Sequence, residues 1–151
     1  MILDAAEGGA KKTEVTDSMI GFRDTLRFYE FADKRAILLV RIDNRDTNFT
    51  TTAKLYLFED GTTAEAMAKW VNNQHSDGLF ADAPDPKASH DIPAASCKVK
   101  AHAIAEQVDA PNGKFTSYTV TFEIKDVPEF GGYTLKDFTD KATVNIKVVE
   151  G

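Results

Sequence analysis

Three histidines, one cysteine and a scatter of aspartates are the residues whose types could do chemistry in this chain. His75-Ser76-Asp77 is the sharpest spacing. An H-x-D pair with a distal histidine is the ligand pattern of a facial iron triad, and His90 and His102 are both available as the third ligand. The candidate metal set is His75, Asp77 and His90, with iron, zinc or calcium as the divalent ion. Two features oppose it. The pair falls at the end of an expected helix, where a histidine is also favoured by the helix dipole. No arginine follows residue 45 to clamp a co-substrate carboxylate. Asp77, Asp82, Asp85 and Asp91 form a looser acidic group, and Asp43, Asp46 and Asn48 a second. Neither follows the spacing of an EF-hand loop.

Covalent chemistry finds less support. The chain has no G-x-S-x-G elbow, and Gly131-Gly132 stands outside any phosphate-cradling pattern. Cys97 and His102 lie an odd number of residues apart, so on a regular strand they face opposite ways. Cys97 then joins Val99, Ala101 and Ala103 on the inner face, and His102 joins Lys98 and Lys100 outside. A single cysteine forms no internal disulfide. A glycosidase pair of carboxylates is defined by separation in space, which sequence does not carry.

Charge narrows the partners. Eighteen basic against 24 acidic residues leave a net charge of −6, which repels phosphate backbones and disfavours nucleic acid. All five arginines (Arg23, Arg27, Arg35, Arg41 and Arg45) precede the long aspartate-bearing segment. If the outer face of the first strands is open, Arg27, Tyr29, Arg41 and Tyr56 form an aromatic and basic surface beside Lys54. Such a surface suits a protein, peptide or carbohydrate. Phe80, just past Gly78, adds an apolar anchor. The longest apolar stretch, Ala36 to Val40, is far short of a membrane span. Met1 to Ala10 has no apolar core of signal-peptide kind, which fits a cytoplasmic chain or an exported one with its signal removed.

These side chains need elements to hold them. Residues 1–18 read as a flexible lead-in, with room for a short edge strand at its end, and residues 19–151 as a single β-rich domain. Phe22–Phe31, Ala36–Ile42 and Thr50–Phe58 read as an antiparallel meander. Ala36–Ile42 is apolar throughout, as a strand covered on both faces must be. Thr62 and Glu65 stand at capping-box spacing before a helix carrying Met67, Trp70 and Val71, which should end near Asp77-Gly78. Leu79–Ala95 holds three prolines and reads as a long irregular segment. Cys97–Val108 and Phe115–Val127 form a hairpin about Asn112-Gly113. Thr134–Asp140 reads as a turn or two of helix, and Ala142–Val149 as a last strand.

Tight turns between strands require antiparallel pairing. The expected fold is therefore mainly β: a two-layer antiparallel β-sandwich of about six to seven strands with one inserted amphipathic helix. An α+β roll, with the helix across a curved sheet, is the alternative. The expected function is a non-catalytic binding or interaction module that uses the open sheet face and the 77–95 loop. A small metal-dependent enzyme or calcium-binding domain is the alternative.

Overall fold

The computed structural model describes residues 1–6, 9–16, 24–43, 48–75, 79–110 and 113–147. In chain order the elements are β1 (Ile2–Leu3), β2 (Lys11–Thr16), β3 (Asp24–Phe31), β4 (Ala36–Asp43), β5 (Thr51–Leu57) and α1 (Ala64–Asn73). Next come β6 (Ala88–Asp91), β7 (Cys97–Ala110), β8 (Gly113–Ile124), β9 (Thr134–Leu135) and β10 (Phe138–Lys147). A larger sheet has the order β2-β3-β4-β5-β6, and a smaller one the order β10-β8-β7. Every neighbouring pair in both sheets is antiparallel. The two sheets pack face to face as a β-sandwich with one α-helix among the described residues, the first of the two expected architectures.

Alternation along the strands explains the layers. On β4, Ala36, Leu38, Val40 and Ile42 face the smaller sheet and meet Val120, Phe122, Ile124 and Val144 in the main core. The intervening Ile37 and Leu39 face the other way and join Leu26, Phe28 and Phe58 beneath α1. That double burial is why β4 is apolar throughout. Trp70 is the helix's anchor. Its ring lies 4.6 Å from that of Tyr56 and 5.5 Å from that of Phe58. Trp70, Met67 and Val71 are all buried. Each contributes on the order of 2 kcal/mol by leaving water. Ten residues of helix could not hold together on propensity alone.

Several expectations change. The lead-in is built into the fold. β2 is the short edge strand allowed for at its end, but β1 also pairs in parallel with β9, and Leu3 and Ala5 are fully buried. The helix cap sits one residue later than the capping-box spacing predicts. Thr63 Oγ1 accepts the N–H of Ala66 at 3.1 Å, while Thr62 donates its hydroxyl to the carbonyl of Glu59. The helix ends at Asn73, ahead of the expected stop. The proline-rich segment contains a strand, β6, whose ASHD sequence carries no apolar alternation. Thr134–Asp140 is extended, not helical, since pairing of β10 with β8 begins at Phe138.

The hairpin departs most from simple alternation. The β7–β8 register skips Lys100 and Ala105, leaving each as a bulge. Each bulge reverses the facing of the residues beyond it. Val99 sits opposite Phe122, yet His102 sits opposite Val120 and Ile104 opposite Tyr118. His102 therefore faces inward, with its ring 5.0 Å from that of Phe49, and not outward with Lys98. Ala101 and Ala103 correspondingly turn away from the face of Cys97.

Candidate functional site

The outer face of the larger sheet is only half covered by α1. Beyond the helix, side chains of matching parity line up across three strands: Arg41 on β4, Thr52, Lys54 and Tyr56 on β5, and Asp91 on β6. The registers Arg41↔Thr52 and Lys54↔Asp91 set them side by side. Together with Leu39 they line a furrow of about 310 Å3. A second hollow of about 290 Å3 shares Arg41 and Thr52 and continues past Asp24, Asp43 and Thr50. The result is one shallow polar track with charges of both signs and a single tyrosine at its helix end.

Two ion pairs within the track are long. Arg41 Nη1 lies 3.8 Å from Asp24 Oδ2, and Lys54 Nζ lies 3.7 Å from Asp91 Oδ1. Lys54 also rests 5.7 Å from the centre of the Tyr56 ring. Ion pairs this long and this exposed contribute little to folding. A ligand can reorganise them at small cost. Arg41, Thr52 and Asp91 are exposed, and Tyr56 and Lys54 are half-buried.

The expected surface does not assemble as one patch. Arg27 and Tyr29 stand opposite Val40 and Leu38, on the inner face of the sheet. Arg41 and Tyr56 are on the outer face. Tyr29 is fully buried, and its hydroxyl donates to Asp140 Oδ2 at 2.7 Å. Arg27 donates to Glu14 Oε2 at 2.6 Å and to Asp140 Oδ2 at 3.1 Å. Lys12 Nζ lies 3.3 Å from the same Asp140 oxygen. Glu14 also accepts the backbone N–H of Thr143 on β10. These residues stitch β2 and β3 to β10, and so close the sandwich on that side. Burial and the neighbouring Asp140 carboxylate push the Tyr29 hydroxyl well above its ordinary range. Burial alone would raise Asp140. The Tyr29 hydrogen bond, the Lys141 N–H and the charges of Arg27 and Lys12 outweigh it and hold the carboxyl below its usual range.

Phe80 is placed elsewhere again. Asn73 grips it at both backbone groups, accepting the Phe80 N–H at 2.8 Å and donating to its carbonyl at 3.0 Å. Leu79 and Phe80 remain exposed, and neither lines the track. The two histidines of the metal reading stand apart. His75 packs against Phe28, under the helix on the outer face, with ring centres 5.9 Å apart. His90 stands opposite Leu55 on the inner face and stacks on Phe130 at 4.4 Å. The sheet itself lies between the two histidines. Asp77 falls outside the described residues. Asp82 pairs with Lys69 instead of gathering with Asp91. Among the described residues, no three His, Cys, Asp or Glu side chains come together as a metal site. Burial pushes the Cys97 thiol up, the opposite of what an activated thiolate needs.

Sequence reasoning picked out Arg41, Lys54 and Tyr56, placed Asp43 and Asp91 in acidic loop groups rather than on this face, and missed Thr52 and Asp24. Thr52 was within reach, because it shares the alternation of Lys54 and Tyr56. The place of Asp91 on this face was not, because β6 has no strand pattern. No helix among the described residues is long and apolar enough to cross a membrane. No protein-family model matches the chain, and neither a curated protein nor a solved structure matches it.

Proposed function

We propose that this chain is a non-catalytic binding module that holds an extended peptide segment of a partner along the outer track of its larger sheet. The observation that supports the reading is the continuity of the two hollows through Arg41 and Thr52. A shallow track of this kind accommodates a chain laid along it better than a small molecule, which needs an enclosed cavity. Charges of both signs in a row, from Asp24 and Asp43 through Arg41 to Lys54 and Asp91, match the mixed charge of a peptide. They suit a neutral glycan less well. Leu79 and Phe80 supply a separate apolar contact at the start of the segment that leads into β6.

The test is a displayed-peptide library and a glycan array screened against the whole chain. Peptide binders are expected, and Arg41→Glu should weaken them at least tenfold with an unchanged melting temperature, because Arg41 is a surface residue. Binding confined to glycans, or peptide binding indifferent to Arg41→Glu, would overturn the proposal.

A further inference from the structure

We propose that the free edge of β7 pairs antiparallel with β7 of a second copy of this chain, giving a weak two-fold dimer. Three observations converge on this edge. First, β7 is the terminal strand of the smaller sheet, so among the described residues no strand hydrogen-bonds to its outer side. Second, every residue from Ala101 to Gln107 is exposed, on both faces of the strand. Ile104 has inward parity, opposite Tyr118, yet is 64% exposed. Val99–His102 also line an open hollow of about 450 Å3. Open edges of this kind are templates for another strand.

The third observation selects the occupant. Charge along β7 is polarised, with Lys98 and Lys100 near its start and Glu106 and Asp109 near its end, all four exposed. A parallel copy would set like charges side by side. An antiparallel copy sets each positive half against the other's negative half. Residues directly across a ladder must share a face, so the two-fold axis falls on a residue, and of those between the bulges only His102 and Ala103 bring a lysine across from an acidic residue. An axis at His102 places Lys98 across from Glu106 of the second copy. An axis at Ala103 places Lys100 there instead. Either register yields two such pairs by symmetry, as an isologous interface requires. The bulges at Lys100 and Ala105 confine regular pairing to the residues between them, so the dimer is weak and concentration-dependent.

Sedimentation of the full chain from about 10 μM to about 1 mM tests the proposal. The average mass should rise from 16.6 kDa toward twice that value, and the rise should shrink at high salt. Lys98→Glu with Lys100→Glu makes both halves of the edge negative, and Glu106→Lys with Asp109→Lys makes both positive. Each double variant alone should stay monomeric, and an equimolar mixture of the two should associate. Ile104→Lys, at an exposed position, should also abolish association without loss of folding. It decides the matter if a double variant fails to fold. A wild-type chain that remains monomeric throughout overturns the proposal. So does association that survives Ile104→Lys, or a mixture of folded double variants that stays monomeric.

Discussion

Asp140 accepts from the Tyr29 hydroxyl, the Arg27 guanidinium and the N–H of Lys141, with Lys12 close by. Four groups from three strands thus depend on one carboxylate. Asp140→Asn keeps the shape and removes the charge, leaving Arg27 largely buried beside Glu14 alone. Breaking a buried pair on one side costs about 3 kcal/mol. The pH dependence comes from the depressed carboxyl. A group held below its unfolded value stabilises the fold above that value, and its contribution is lost as pH falls through the folded one. Urea midpoints of wild type and Asp140→Asn should therefore differ most near neutrality and converge below the ordinary carboxylate range. A gap independent of pH would show that packing, and not charge, carries the effect. None of this network was legible in the sequence. Arg27 and Tyr29 alternate correctly with Phe28, but which face is inner depends on a sheet formed about 110 residues later in the chain.

At the scale of elements, periodicity was legible where a strand or helix obeys one period throughout. β3, β4 and β5 fall within a residue of their expected bounds wherever the structure describes them, and β8 within three. The helix was equally clear, through Met67, Trp70 and Val71. Its start was not, since Thr62 and Thr63 both suit a cap and only geometry chooses. Thr63 makes the capping bond, so Thr63→Ala should cost about 1 kcal/mol. Thr62→Ala loses only an exposed turn contact and should cost less than half of that. Equal losses in thermal unfolding would contradict the assignment of the cap. The bulges were illegible for a different reason. Lys100 and Ala105 are ordinary strand residues, and nothing in an alternating run marks the one that goes unpaired. That single omission turned His102 to the wrong face.

Considered whole, the sandwich is closed unequally on its two sides. Beside β10, Glu14, Arg27, Tyr29 and Asp140 tie the sheets together with short charged hydrogen bonds. Beside β7 the described ties are apolar and aromatic, with Cys97 and Val99 packed against the main core and Phe49 set against His102 and Tyr118 at about 5 Å. The net charge of −6 conceals this arrangement, because two of the five arginines serve different ends: Arg27 is spent inside the molecule and Arg41 lines the track. Local stability should show the same asymmetry, since opening free energies scale with buried contact. In dilute solution the amides of β3 and β4, covered on both faces, should exchange only by global unfolding. Those of Ala101–Gln107 should exchange orders of magnitude faster, although they too belong to a paired strand. Measurement at high concentration separates two causes of protection. Slowing confined to β7 as concentration rises is the outcome that edge pairing requires, because only that strand would gain hydrogen bonds. Uniform protection across β4 and β7 in dilute solution would mean that the two sides of the sandwich open together, and the asymmetry would then have no energetic consequence.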